Sequence, residues 1–485
     1  MKSIKKNAAL NVIKQICNII FPMITFPYIS RVLGASVYGK INFSASIVNY
    51  FSLIAAFGVS NYAIREGARI KDEKNGLSSF VSEVFSINIL TTIISYIILG
   101  MLLMCWPLLR NYSLLIIIQS MSIFFTTLGV EWLYTIEEEF EYITIRSIFF
   151  QIISIILMFT LVKTPSDYII YAGISVFAGG GSAIFNMVRA KKYVNIKLTH
   201  KGLSKHFFPM LILFGSAITT VIYVSSDTTM LGIFRNDYEV GLYSAASKIY
   251  TIVKQTINAA LIVSVPRISY YIKQSNTQKI NNLLDMSFEV LMLVCIPAGI
   301  GLAGLSENII TMFCGEEYIA ASQALLWLSF ALLFALLAGF FSTQILIPYR
   351  YDRELFFAVI CSALLNVVLN FILIPKYGFV AAAWTTFVAE LFISALYFLM
   401  ARKIYTPKIK RSFFAYILEG VLVYLICKFS NLFFQNNFYV ITVAILLSFI
   451  SYLIILYFTH NELFFSFINR RKSRTKCLSP ESRNK

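Results

Sequence analysis

Three lysines lie inside long apolar segments of the chain, where a charged side chain is costly. An ammonium group at the bilayer centre costs about 2.5–3.5 kcal/mol on insertion scales, so it snorkels to an interface, pairs with an acid or faces water. Lys14 is about two turns into its segment and lies close enough to one end to snorkel. Lys248 and Lys254 lie deeper in theirs. For these two we expect a hydrated cavity.

Uncharged polar residues continue the same helical faces. Spacings of three and four residues place side chains on one side of a helix, and such spacings link these residues to Lys14 in one segment and to Lys248 in another. Asn49, in the second segment, is included because it aligns with Thr251 at an offset of 202 residues. Helix-to-helix hydrogen bonding is the alternative for the neutral members. The predicted polar lining of the cavity is Asn11, Gln15, Asn18, Asn49, Thr251 and Gln255.

Two acids within apolar segments, Glu131 and Asp227, are candidates for ion coupling. Each is placed to pair with a cation or to take up H⁺ or Na⁺. The 7 cysteines and 3 histidines show no metal-ligand spacing, and the three glycines at 179–181 are not followed by the Gly-Lys-Ser/Thr of a phosphate loop. We therefore expect no metal and no cofactor, and movement that depends on a gradient or on another subunit.

Membrane-spanning helices are predicted to position these residues. The chain is 58% hydrophobic and 13% charged, against about 25% charged in an ordinary soluble domain. Apolar runs of about 20 residues cross a bilayer as helices, and the alternation of barrel strands is absent. The predicted class is an all-α polytopic membrane protein with about fourteen transmembrane helices, of which the last two are the weakest: 8–33, 39–63, 79–105, 113–136, 142–163, 166–188, 208–233, 239–265, 282–307, 318–347, 354–375, 378–401, 412–430 and 437–459.

The basic residues predict that both termini are cytoplasmic. With that orientation about three quarters of the 41 Lys and Arg residues lie in cytoplasmic loops and termini. The net charge of +17 is then explained by topology beside anionic lipid, and no nucleic-acid partner is expected. The first apolar segment is too long for a cleavable signal peptide, so we expect a retained helix.

The chain repeats itself weakly at an offset of 202 residues. Gly39 aligns with Gly241, and the same offset aligns Arg65 with Arg267. Both arginines end a predicted helix on the cytoplasmic side, where we expect a cytoplasmic gate. Two six-helix lobes in pseudo-twofold repeat suit a transporter that rocks about a central cavity. The predicted organisation is an N-lobe at 1–188, a basic cytoplasmic linker at 189–207, a C-lobe at 208–402, two further helices at 403–460 and a basic cytoplasmic tail at 461–485.

Several motifs resemble a known family, the bacterial oligosaccharide flippases for O-antigen and capsule in the MOP exporter superfamily. The resemblance is strongest in KNAALNVIKQICNIIFPMITFPYISRVLGASVYGKINFSASIVNYF and in AAFGVSNYAIREGAR at 55–69. The Pro-Tyr-Ile-x-Arg-x-Leu-Gly run with Tyr-Gly after it, and the Arg-Glu pair at 65–66, are specific to that branch. In the second half, VGLYSAASKI and VSVPRIS are similar to the family's eighth span and its end.

The resemblance implies a flippase for an undecaprenyl-pyrophosphate-linked oligosaccharide repeat unit. It implies alternating access across the bacterial plasma membrane, a MATE-like fold and a role in surface polysaccharide biosynthesis. Lys14, Lys248 and Lys254 would hold the diphosphate in the cavity. Arg31, at the outer gate of the first span, would either contact phosphate or cap the helix. The implied partners are this lipid-linked oligosaccharide, membrane lipids, H⁺ or Na⁺, and polysaccharide polymerase or assembly proteins.

Three other classes compete with the flippase. A MATE-type cation or drug antiporter would share the architecture but would favour an acidic cavity, whereas the deep charges here are mostly cationic. A membrane polysaccharide polymerase would be an enzyme with sizeable external loops, which this sequence lacks. A scaffolding protein would not need polar faces in both halves. We therefore expect a transporter and not an enzyme.

Overall fold

The computed structural model describes residues 4–262, 264–408 and 412–459, and within these ranges every regular element is a helix. The tail predicted at 461–485 lies outside them. A 3₁₀ turn precedes α8 and another precedes α15, and a π-helical turn, Phe341–Leu346, follows α15. The α-helices are α1 (Ile4–Ala56), α2 (Val59–Gly67), α3 (Lys74–Cys105), α4 (Pro107–Arg110), α5 (Ser113–Gly129), α6 (Glu131–Ile136), α7 (Phe140–Leu161), α8 (Tyr168–Gly180), α9 (Ala183–Ala190), α10 (Ser204–Phe234), α11 (Asp237–Ile262), α12 (Val265–Lys273), α13 (Thr277–Gly304), α14 (Ser306–Cys314), α15 (Ala321–Phe340), α16 (Asp352–Ala401), α17 (Ser412–Phe433) and α18 (Asn437–Phe458).

Ten helices in the described ranges are long and apolar enough to cross a membrane. Two of these contain a break, because α1 has non-helical geometry at Gly34 and α16 has it at Gly378. With the shorter apolar α5 and with α11, the arrangement is consistent with fourteen crossings. The all-α polytopic class is confirmed.

The side chains of α3 show how such a helix is adapted to lipid. Its polar face is buried, and both Asn88 and Thr91 donate hydrogen bonds to the Ala55 carbonyl, at 2.8 and 2.7 Å. Its opposite face leaves large apolar side chains such as Ile93 and Ile97 exposed. A surface helix of a water-soluble protein would bury its apolar face and expose its polar face. The opposite arrangement in α3 fits a helix whose outer face contacts hydrocarbon.

Internal contacts divide the chain into two compact units, each with its own apolar cluster. Val81, Val84 and Leu133 belong to the cluster of the first unit, and Val423 and Ala444 to that of the second. The six-helix lobes expected from the sequence stay a prediction. The first unit consists of Met1–Ala245, Phe313–Tyr318 and Val359–Thr385, and the second of Ala246–Met312, Ile319–Ala358 and Thr386–Lys485.

The two glycines that the internal repeat aligns lie against each other. A Cβ atom added to Gly39 would lie 1.7 Å from the Asp237 carbonyl oxygen, and one added to Gly241 would lie 2.0 Å from the Ala35 carbonyl oxygen. Only glycine lets two helix backbones approach this closely. Contact between equivalent positions is what a pseudo-twofold axis between these segments of α1 and α11 would produce.

Replacing Gly39 with alanine is expected to destabilise this crossing. The added methyl group forces the two backbones apart, and overpacking of this kind costs about 2 kcal/mol. The melting temperature of the detergent-solubilised protein should therefore fall. The matched control is Gly100→Ala in α3, where an added Cβ meets nothing within 4 Å. Equal melting temperatures for the two variants would contradict the close crossing.

Candidate functional site

Lys14 and Glu131, which the sequence proposed for different roles, form an ion pair. The Lys14 ammonium lies 2.8 Å from one Glu131 oxygen, and the Arg146 guanidinium lies 3.5 Å from the other. Arg146 is only 9% exposed and also donates a 2.5 Å hydrogen bond to the Asn186 side-chain oxygen. Lys14 therefore follows the acid-pairing alternative in this structure. Neither Arg146 nor Asn186 was among the predicted site residues.

Glu131 also borders a small cavity of about 300 Å³ beside α1, α3, α5 and α6. The Glu131 side chain is 51% exposed although it binds two cations. It is therefore accessible from this cavity, and its ion-coupling role stays a prediction. The polar members of the lining, apart from Glu131, are Ser52, Ser60, Asn88, Thr126, Thr127 and Thr135.

Asp227 lies in a buried cluster of oxygen-bearing side chains. It accepts hydrogen bonds from the Tyr243 hydroxyl and, at 2.5 Å, from the Asn370 amide. The Asn370 amide also lies 3.0 Å from the Asn366 oxygen, and the Thr385 hydroxyl donates to the Asn370 oxygen. Asn366 and Asn370 were missed, although polar residues four apart in an apolar segment are a helical-face signal that the sequence carried.

Lys254 and Lys248, on one helix, have different surroundings. The Lys254 ammonium lies 2.7 Å from a Glu390 oxygen, and the Tyr250 hydroxyl lies 3.2 Å from both groups. The Glu390 side chain is only 6% exposed. Lys248 is half-buried and, among the described residues, its ammonium has no hydrogen-bond or ion-pair partner. Lys248 is therefore the deep cation that remains available to an anion.

Most of the predicted polar lining residues are exposed, and one of them, Asn18, is hydrogen-bonded to a neighbouring helix. Asn11, Gln15, Asn49 and Gln255 are exposed, and Thr251 is half-buried. In a separate contact, exposed Asn18 accepts a 3.0 Å hydrogen bond from the Gln151 amide. Exposed amides on apolar helices need water or a polar ligand nearby. Their role in lining a cavity stays a prediction.

A glutamate binds the backbone at the outer turn after the first span. At Gly34, where φ is 74°, the chain breaks, and the Glu317 carboxylate accepts a 2.8 Å hydrogen bond from the Ala35 amide that begins the next helix. Arg31 is exposed and lies beside Gly315. Lys40 lies over the rings of two tyrosines. Both alternatives for Arg31, a phosphate contact and a helix cap, stay predictions.

The two arginines of the expected cytoplasmic gate both lie on short helices. Arg65, on α2, is exposed, and its Nε–H donates a 2.9 Å hydrogen bond to the neighbouring Glu66. Arg267 is exposed on α12. The two short helices follow longer ones, α1 and α11, and both arginine side chains are accessible. Their gating role stays a prediction.

A large apolar cavity of about 640 Å³ lies within the second unit, among α13, α17 and α18. Val253 of α11 also lines it, one residue before Lys254. The Tyr452 hydroxyl, at one end, donates a 2.5 Å hydrogen bond to the Leu293 carbonyl. Aliphatic and small residues make up most of the wall, so the cavity suits a hydrocarbon chain.

Apolar helices that carry ion pairs and polar clusters define a polytopic membrane protein, and comparison with known proteins shows its family. Residues 4–272, more than half of the chain, match the family described as "Polysaccharide biosynthesis protein". A protein of Shigella dysenteriae named "Putative O-antigen transporter" is 25% identical over 408 residues, which cover 82% of this chain and 99% of that protein. The chain belongs to the polysaccharide biosynthesis protein family, and its resemblance to MOP-superfamily flippases is confirmed. The expectation of a transporter and not an enzyme is confirmed as well.

Two solved structures share the fold. The structure titled "Lipid II flippase MurJ, inward closed conformation" has a TM-score of 0.73 and 19% identity, and the match covers 94% of this chain and 99% of that one. An inward-facing multidrug resistance MATE family transporter of the MOP superfamily has a TM-score of 0.60 and 13% identity, over 80% of this chain and 98% of that one. The predicted MATE-like architecture is therefore confirmed.

Proposed function

We propose that this protein moves an undecaprenyl-pyrophosphate-linked oligosaccharide repeat unit across the bacterial plasma membrane, for surface polysaccharide biosynthesis. The observation that carries the proposal is the family match over residues 4–272. A relative named as an O-antigen transporter, matched over nearly its whole length, supports it. Both termini are cytoplasmic on this proposal, because that orientation places most basic residues inside.

The diphosphate group is assigned to Lys248. A desolvated ammonium binds phosphate oxygens by charge-assisted hydrogen bonds, which are stronger than neutral ones. Lys14 and Lys254 each have a carboxylate within 2.8 Å, whereas Lys248 has none among the described residues. A phosphate that binds Lys248 therefore displaces no protein carboxylate. With alternating access, the Lys248 side chain would be accessible first from one side of the membrane and then from the other.

The isoprenoid chain of the substrate is assigned to the apolar cavity among α13, α17 and α18. Its wall includes Pro297, Val423, Ala444 and Phe449, and it holds about 640 Å³. An isoprenoid chain in this cavity stays in apolar surroundings like those of the bilayer, so moving it there from the membrane costs little. Because Val253 lines the cavity and Lys254 follows it, α11 connects the apolar cavity with the part of the helix that carries the lysines.

Ion coupling is assigned to the Asp227 cluster. Its carboxylate, amide and hydroxyl oxygens are the ligand type that hard cations prefer, and a buried carboxylate is equally able to take up a proton. Glu131 is the weaker choice, since Lys14 and Arg146 already neutralise it. The cluster lies on α10, α11 and both halves of α16, so binding an ion there would affect the arrangement of these helices.

Replacing Asp227 with asparagine is expected to slow transport about tenfold and to remove its dependence on the ion gradient, because charged ligands contribute about 1.5–3 kcal/mol to such contacts. Transport by purified protein in vesicles with and without an imposed H⁺ or Na⁺ gradient measures both effects. The control is Asp167→Asn, whose carboxylate is bonded to the turn at Lys163 and Thr164. Retention of gradient dependence by Asp227→Asn would exclude this site.

Depletion of the protein in its own cells tests the function. We expect surface polysaccharide to disappear and lipid-linked repeat units to accumulate on the cytoplasmic side, with both effects reversed when the wild-type chain is restored. Normal surface polysaccharide together with increased sensitivity to cationic dyes would instead support a MATE-type cation or drug antiporter.

A further inference from the structure

Two adjoining cavities lie between α7 and α9 in the first unit, and neither Lys248 nor Asp227 is among their lining residues. Their volumes are about 480 and 580 Å³. Tyr142, Arg146, Phe149 and Arg189 line both of them. On the proposed orientation this region is at the cytoplasmic surface, because it is formed by the beginning of α7 and by the end of the sixth predicted span.

Two guanidinium groups converge on one ring at this groove. The Arg146 guanidinium carbon lies 5.5 Å from the centre of the Tyr142 ring, and that of Arg189 lies 4.1 Å from it. The Arg146 side chain is more than nine-tenths buried, yet among the described residues neither its Nε–H nor that of Arg189 has a hydrogen-bond acceptor. Buried donors of charged groups normally have acceptors. An anion in the groove would supply them.

Each of the two acids at the groove is paired with a basic residue. Glu139 accepts a 2.8 Å hydrogen bond from the Tyr193 hydroxyl and lies 3.5 Å from Arg189. Glu141 forms a 2.7 Å ion pair with Lys6. Arg146 is itself paired with Glu131, but the four basic groups of this network, Lys6, Lys14, Arg146 and Arg189, outnumber its three acids, Glu131, Glu139 and Glu141, so the groove keeps a net positive charge.

The walls of the groove are apolar and open. They are exposed in the structure, and the Phe150 and Phe185 rings, with centroids 6.1 Å apart, connect the two helices. A water-soluble anion would gain nothing from such walls, whereas acyl chains would cover them. The exposed apolar side chains that line the cavities are Ile145, Phe149, Ile184, Phe185 and Val188.

We propose that this groove binds an anionic phospholipid of the cytoplasmic leaflet, with its phosphodiester on Arg146 and Arg189 and its acyl chains along α7 and α9. This site is separate from the one assigned to the transported substrate. Because Arg146 also contacts Glu131, the lipid fixes one of the two cations around that carboxylate. The inference goes beyond the proposed function and rests on it only for the orientation of the chain in the membrane.

Native mass spectrometry of the delipidated full chain, with phosphatidylglycerol or phosphatidylcholine of the same acyl length added back, tests the proposal. We expect selective retention of phosphatidylglycerol, and about fivefold weaker retention by Arg189→Gln, since one basic residue at an anionic surface contributes about 1 kcal/mol. The matched control is Lys191→Gln, an exposed basic residue two positions away that lines neither cavity.

A second variant distinguishes weaker lipid binding from misfolding. Phe185→Ser keeps both guanidinium groups and removes an exposed ring, and it should weaken retention of the long-chain lipid about threefold. Equal retention of phosphatidylcholine, or equal losses for Arg189→Gln and Lys191→Gln, would overturn the proposal. Complete displacement of phosphatidylglycerol by millimolar inorganic phosphate would show a phosphate site without a lipid and would overturn it as well.

Discussion

The Lys248→Ala variant is expected to export surface polysaccharide about ten- to hundredfold more slowly than the wild-type protein, at an unchanged protein level. Hydrogen bonds to a charged group contribute about 1.5–3 kcal/mol, which corresponds to this range of affinity. The folded protein loses little, because within the described residues the Lys248 ammonium has no partner to leave behind. Export is measured as surface polysaccharide per cell, with the protein quantified in the same membranes.

Lys248→Arg is the matched control, because it keeps the positive charge at the same position. It should retain most of the export that Lys248→Ala loses. If Lys248→Ala exports normally, Lys248 does not bind the transported anion. If both variants lose protein from the membrane in equal measure, the role of Lys248 is structural.

The Lys254→Met variant is expected to lose stability instead, by about 3 kcal/mol. Removing one partner of a buried ion pair leaves the other charge uncompensated, and Glu390 is only 6% exposed. The melting temperature in detergent and the amount of protein in the membrane should both fall. Glu390→Gln should have a smaller effect, because Lys254, 27% exposed, can reach solvent more easily.

The double variant Lys254→Met, Glu390→Leu separates the structural role of this pair from substrate binding. Replacing both charges by apolar groups of similar size is often neutral for stability, so the double variant should melt close to the wild-type temperature. Its transport then decides whether Lys254 binds the substrate, as the sequence predicted. If the double variant melts at a temperature as low as that of Lys254→Met, the loss of stability does not come from the unpaired charge of Glu390.

Hydropathy was sufficient to predict the all-α polytopic class, because the bilayer imposes a simple rule on helix length, whereas the MATE-like fold was implied by the family resemblance. The break at Gly378 lies at the predicted boundary between the spans 354–375 and 378–401, where Lys376 interrupts the apolar run. The glycine repeat was informative for another reason. Gly39 and Gly241 lie where two helix backbones are in contact, so a larger side chain does not fit at either position. The two glycines therefore still align between the two halves of the sequence, although most of the surrounding side chains differ.

The site was harder to predict because ion pairing depends on which helices are neighbours. Lys14 and Lys254 looked like cavity cations along their own helices, but their partners, Glu131 and Glu390, are 117 and 136 residues away. Arg146 resembled an ordinary residue near a helix end. Periodicity shows which face of a helix is polar, and only the packed structure shows what that face meets.

The most direct test measures flipping by the purified protein in phospholipid vesicles that contain a labelled undecaprenyl-pyrophosphate-linked oligosaccharide. The fraction of the label that an impermeant glycosidase can reach reports movement between leaflets. We predict that the wild-type protein makes almost all of the label accessible, that Lys248→Ala does so far more slowly, and that protein-free vesicles stop at the outer leaflet. Wild-type vesicles that stop at the same fraction as protein-free vesicles, while they accumulate a cationic dye, would contradict the account.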